Sequence, residues 1–208
     1  MTQAVLWYFA DPMCSWCWGF SPIITQIKKA YSDKLQIALN LGGLRPGTTQ
    51  AITEKSRNEI LHHWHEVKKL SGQEFTFDNA MPDGFIYDTE PASRALVAFG
   101  KMDTENTLAF FHDIQHTFYV EQRDVTQQEV LTDLVLKFKI DKSEFINLFE
   151  SKEIKEQTQQ HFSNTRQAGV LGFPTLVFQH EKKHQFLSRG YANYQKIQQQ
   201  LDSLLKNG

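Results

Sequence analysis

The chain has 208 residues, 40% of them hydrophobic and 22% charged, with a formal net charge of -2. That length and composition suit a soluble globular protein, either one large domain or a small domain carrying an insertion, with enough apolar residues to build a core without a ligand. The near-neutral charge offers no footprint for a nucleic-acid backbone or an anionic membrane, and no apolar run approaches the length of a bilayer span, so neither is expected as a partner.

The chain opens "MTQAVLWYFADP", with no basic segment ahead of its apolar run, which Asp11 and Pro12 cut short. It therefore reads as cytoplasmic rather than as carrying a signal peptide. Residues 4–9, "AVLWYF", form a short run of β-formers and predict a buried strand that ends just before a cysteine pair. From Cys14 to about Tyr31 the spacing becomes helical, with Phe20, Ile23, Ile24 and Ile27 on one face and a kink expected at Pro22, which cannot bond to the carbonyl of Trp18. Leu35, Ile37, Leu39 and Leu41 then alternate with polar or small residues, a period of two that closes at Gly42 and Gly43. Strand, helix, strand favours a parallel crossover unit.

From residue 48 to residue 167 nearly every segment has helical spacing. "TQQE" from Thr126 matches a capping box, "DKSE" from Asp141 offers an aspartate cap, and Pro91 fits the first turn of a helix starting near Thr89. After Gly169 the period returns to two. "FPTLVF" and "HQFLSRG" read as a hairpin, and "NYQKIQQQLDSLL" as a closing helix with Ile197, Leu201, Leu204 and Leu205 on one stripe. The plan is βαβ, then helices, then ββα. It divides into a discontinuous α/β domain of residues 1–45 and 168–208 and a helical insertion of residues 46–167.

The chemistry centres on "DPMCSWCWGF", residues 11–20, which holds the chain's only two cysteines, Cys14 and Cys17. In a reducing compartment a purely structural disulfide is out of place, and so tight a ring would contribute only about 2 kcal/mol. At a helix N-terminus, free amides and the helix dipole favour a thiolate, which is the nucleophilic form of cysteine. Cys14 is thus the expected nucleophile. Cys17, one turn further in, is the resolving thiol that attacks a mixed disulfide on Cys14. Ser15 and Trp16 between them bring no cation, so a milder thiol activation is expected than in strongly oxidising pairs, which favours reductase or isomerase work. A zinc site would need two more ligands. His62 and His65 are the nearest pattern, but "HHWHE" matches no zinc spacing, and no metal is expected.

A strand running into "CSWC" at a helix start, a long helical insertion and then "GFPTLVF" together resemble the DsbA-like branch of the thioredoxin superfamily. The resemblance spans nearly the whole chain and implies a thioredoxin-like fold interrupted by a large helical insertion. It also implies a cis Pro174 whose loop faces the cysteines and a Phe173 backbone that takes an extended peptide by strand addition. Without the resemblance, Phe173-Pro174 would read only as an edge-strand proline. Better-known members carry Pro-His or Pro-Trp where this chain has Ser15 and Trp16.

Trp16 and Trp18 flank Cys17 and join Phe173 as candidate substrate-binding residues, with Trp16 expected to be exposed and core packing the alternative for Trp18. Asp11 could cap the helix and seat Cys14, although a carboxylate so close would oppose a thiolate. Met13 reads as packing, and His112, His116 and His161 as surface or hydrogen-bonded histidines. The expected activity is thiol–disulfide exchange with protein or peptide thiols and disulfides, or with glutathione mixed disulfides. No bound cofactor is implied, glutathione is the candidate co-substrate, and no oligomeric state is implied. Two alternatives stand beside it. One is a glutathione-dependent transferase or isomerase of small hydrophobic molecules, similar to kappa-class transferases and 2-hydroxychromene-2-carboxylate isomerases, which use serine where Cys14 stands. The other is a redox-inert peptide-binding module.

Overall fold

A computed structural model describes residues 4–206. Its centre is a four-stranded mixed sheet in the order β2-β1-β3-β4. The strands are β1 (Ala4–Ala10), β2 (Leu35–Leu41), β3 (Thr175–His180) and β4 (Lys183–Arg189). β1 runs parallel to β2 and antiparallel to β3, and β3 and β4 form a hairpin with an irregularity between Leu176 and Val177. The period-two patterns were therefore reliable guides to the strands.

Alternation along β1 decides which side chains meet which layer. Leu6, Tyr8 and Ala10 are buried in the main core with α1 (Ser15–Ala30) and α8 (Tyr194–Lys206). Tyr31, at the end of α1, ties these two helices by donating its hydroxyl to Asp202 over 2.7 Å. Trp7 and Phe9 point the other way and pack with Val170, Val177 and Phe186.

Between β2 and β3 come α2 (Glu54–Ser71), α3 (Glu90–Met102), α4 (Thr107–Tyr119), α5 (Gln128–Val135), α6 (Lys142–Glu150) and α7 (Lys152–Gln167). Asp141 caps α6 by accepting the amides of Ser143 and Glu144, as the sequence suggested. The capping box at Thr126 does not form: α5 begins after Gln127, and the Thr126 hydroxyl donates instead to Asp124 over 2.6 Å. Asp124 Oδ1 accepts both the amide and the hydroxyl of Thr126, which holds that residue in a turn ahead of the helix. Pro22 lies inside a continuous α1, and the Trp18 carbonyl that it leaves without an amide is taken by Gln73 Nε2 at 3.0 Å.

α7 crosses from the helical block to the sheet. Asn40 of β2 donates to the carbonyl of His161 and to the Thr165 hydroxyl, at 3.0 and 2.7 Å, and Thr165 donates to the Leu41 carbonyl at 2.9 Å. His161 Nδ1 accepts the Leu41 amide, and burial lowers the pKa of the ring, so it is a hydrogen-bonded histidine of the fold. Trp64, Phe75, Phe118 and Tyr119 form an aromatic cluster that continues the core under α1. Among the described residues, no helix is long and apolar enough to cross a membrane.

Candidate active site

β1 ends at Ala10, and the next four residues turn the chain into α1. The Cys14 amide bonds back to the Asp11 carbonyl at 3.1 Å, and the Cys14 carbonyl accepts the amides of Cys17 and Trp18 at 2.9 and 3.1 Å. Cys14 is thus the N-cap of α1, in extended backbone, with its sulfur at the end where helix amides are unpaired. Both cysteines are free thiols. Cys14 is 6% exposed and Cys17 is fully buried behind it. Burial and the neighbouring Cys14 push the Cys17 thiol well up, against a smaller opposing effect of the Asp11 main chain.

The second half of the site comes from the loop before β3. The Phe173–Pro174 peptide bond is cis. Cys14 Sγ lies 3.8 Å from the Phe173 carbonyl oxygen, so residues far apart in sequence meet at the thiol. The Phe173 ring rests on Gly42, where any added Cβ would collide with it. That glycine is required by close approach rather than by its backbone angles. Leu171, in the same loop, is 96% exposed, and Leu44 is exposed beside the buried Asp11.

Trp16 is half-buried, with its ring 6.1 Å from that of Tyr191. Trp18 requires a correction as a substrate-binding residue. It is 3% exposed, stacks on Tyr119, and donates its indole N–H to the Glu74 carbonyl at 2.9 Å. It packs between α1 and α4 and so helps seat one helix on the other.

Asp11 does not cap α1, whose N-cap is Cys14 with no side-chain cap bond; its carboxylate holds the loops around it instead. Fully buried, it accepts the Met13 amide on one oxygen and the Leu44 amide on the other, at 2.9 and 2.7 Å. Burial outweighs these bonds and raises its pKa to about 6. Tyr87 donates its hydroxyl to the carbonyl of Met13, next to the nucleophile. Sequence reasoning missed Tyr87, Leu171 and Tyr8. For Tyr8 a signal existed, because it lies in the inward phase of β1 with Leu6 and Ala10.

His65 stacks on Phe77 at 4.0 Å, and among the described residues no three His, Cys, Asp or Glu side chains converge to hold a metal ion.

A cysteine pair at a helix N-terminus, faced by a proline-containing loop on a βαβ…ββα frame, is the arrangement of a thioredoxin-fold thiol–disulfide oxidoreductase. The match to known proteins is specific: residues 5–202 fit the DSBA-like thioredoxin domain, and the chain belongs to that family. A structure from Nitrosomonas europaea, provisionally assigned as a protein disulfide isomerase, is 42% identical and superposes with a TM-score of 0.94 over 99% of both chains. The cytosolic disulfide reductase DsbM of Pseudomonas aeruginosa, 24% identical, shares the fold at a TM-score of 0.81 over 98% of this chain and 100% of that one. DsbM is also known in a structure with glutathione. Among curated proteins, the ClpXP adapter protein SpxH of Halalkalibacterium halodurans is 22% identical over 83% of this chain, which spans 58% of the adapter's length.

Proposed function

We propose that the chain is a thiol–disulfide oxidoreductase of reductase or isomerase type, acting on protein or peptide disulfides and glutathione mixed disulfides. The observation that carries this reading is the position of Cys14: at the N-terminus of α1, 3.8 Å from the Phe173 carbonyl, with a second thiol buried one turn behind. Cys14 attacks one sulfur of the substrate disulfide and expels the other as a thiolate. Cys17 then gives up its proton and attacks the Cys14 sulfur, releasing the second thiolate and leaving a 14–17 disulfide. Two electrons pass from the cysteine pair to the substrate. Glutathione, as co-substrate, returns them.

A protein substrate would meet Trp16, Phe173 and the exposed Leu171 around the thiol, and the Phe173 backbone would pair with an extended segment. The reductase reading agrees with the description of DsbM as cytosolic and with the absence of a cation between the cysteines, and it carries a cytoplasmic setting with it. Cavities of 640, 560 and 370 Å³ are lined by residues other than the two cysteines.

Insulin reduction driven by glutathione tests the proposal. Turnover abolished by Cys14→Ser, a trapped mixed disulfide in Cys17→Ser and a potential near about -270 mV are expected for a reductase. Turnover that survives Cys14→Ser would overturn it. The likeness to adapter proteins favours one second reading, a peptide-binding module. Peptide binding undiminished by loss of both thiols would mark that role.

A further inference from the structure

The dithiol reading leaves one difficulty. Cys17 must ionise to attack, yet it is fully buried, and burial opposes a thiolate. A fixed donor has to compensate, and the Asp11 main chain offsets only the smaller part. The Asp11 carboxylate is an acceptor already engaged by two amides, and the Tyr87 hydroxyl is committed to the Met13 carbonyl.

Tyr8 is different. It stands on β1 with its side chain in the core beneath α1, has no exposed surface, and its hydroxyl has no hydrogen-bond partner. A buried, unpartnered hydroxyl is costly, which makes a role in another state of the site worth seeking. Its ring is held by Phe20 and Phe111, at centroid distances of 5.8 and 6.0 Å. Phe20 and Cys17, three residues apart, share one face of α1, so the ring that meets Phe20 lies under Cys17 in the same buried cluster.

We infer that Tyr8 is the side-chain hydrogen-bond donor for the Cys17 thiolate, its hydroxyl engaged when Cys17 ionises to attack the mixed disulfide. The step balances without a further reactant: the proton of Cys17 ends on the departing substrate thiolate, and Tyr8 keeps its own proton throughout. Burial and the nearby sulfurs raise the Tyr8 pKa well above the ordinary value, so it acts as a donor and not as a base. The ionisable groups facing Cys17 besides Tyr8 are Cys14, Asp11 and Tyr119, and Tyr87 faces Cys14 and Asp11.

The inference rests on the dithiol reading, and a stoichiometric aromatic disulfide such as dithiobis(nitrobenzoate) separates the two. The reduced protein releases one chromophore when Cys14 attacks and a second when Cys17 closes the ring. In Tyr8→Phe the first release should keep its rate. The second should slow roughly tenfold, and its pH profile should move up by about one unit, the loss expected for a hydrogen bond to a charged group. Ring-fluorinated tyrosine at position 8, a stronger donor of the same shape, should move the profile down. Tyr119→Phe, which removes the other unpartnered hydroxyl of this region, should leave the second release unchanged. If both releases are unaltered in Tyr8→Phe while the protein becomes more stable, the hydroxyl is a packing defect and the inference falls. If the wild type shows no second release, the dithiol reading itself falls.

Discussion

The amide of Leu44 donates to the buried Asp11 carboxylate over 2.7 Å, and so joins the loop after β2 to the turn that presents Cys14. The same carboxylate accepts the Met13 amide, one residue before the nucleophile. Asp11 thereby fixes the approach of two loops to the thiol.

This bond carries a pH signature. The Asp11 pKa is raised by burial from 3.8 to about 6, so the folded chain holds this proton more tightly than the unfolded one. The protonated form therefore stabilises the fold fully below about 3.8, and that contribution is lost as pH rises through about 6. The difference corresponds to roughly 3 kcal/mol at 1.36 kcal/mol per unit. Urea unfolding of wild type and Asp11→Asn at pH 4.5 to 7 should give curves that differ in slope across that window. Parallel curves would show that Asp11 titrates normally.

Gly42→Ala should damage both stability and activity, because its Cβ would occupy the space of the Phe173 ring. Overpacking of this kind costs about 1–3 kcal/mol. Displacing the ring also moves the Phe173 carbonyl away from Cys14. A lowered melting temperature together with slower insulin reduction is the expected result, and unchanged reduction would mean that the loop position is not critical.

Leu171, 96% exposed, makes no packing contribution to lose. Leu171→Asp should leave the unfolding free energy within about 0.5 kcal/mol of wild type and raise KM for insulin severalfold, by removing an apolar contact for the substrate chain. An unchanged KM would remove Leu171 from the substrate surface.

Gln73 and Pro22 should be coupled. Gln73 donates to the Trp18 carbonyl that Pro22 leaves without an amide. Gln73→Ala should cost about 1–3 kcal/mol in the wild type, and clearly less in a Pro22→Ala background, where the restored amide takes over the carbonyl. Equal costs in a double-mutant cycle would disprove the coupling.

Much of this was legible in the sequence because the signals were local. The run of β-formers at residues 4–9 and the alternation at 35–41 set the strands, and the cysteine spacing placed one thiol at the helix end and the other inside it. Trp18 was harder, since a place beside a motif in sequence does not say whether the side chain meets solvent or a neighbouring helix, here α4. The capping pattern at Thr126 failed because Asp124 holds the amide and hydroxyl of Thr126 in a turn ahead of α5. Asp11–Leu44, Tyr8–Cys17 and Gly42–Phe173 join segments brought together only by folding, and no local pattern marks such pairs.

The way α7 covers the last two residues of β2 has a practical corollary. The amide and carbonyl of Leu41 find partners in His161 and Thr165, where another sheet would use a neighbouring strand, and the Asn40 side chain adds bonds to the same helix. A trimmed version retaining only the strands, α1 and α8 would expose those groups as a template for a second molecule to zip onto. The helical segment is thus a guard against self-association as well as a roof, and attempts to shrink the enzyme should keep residues 152–167 in place.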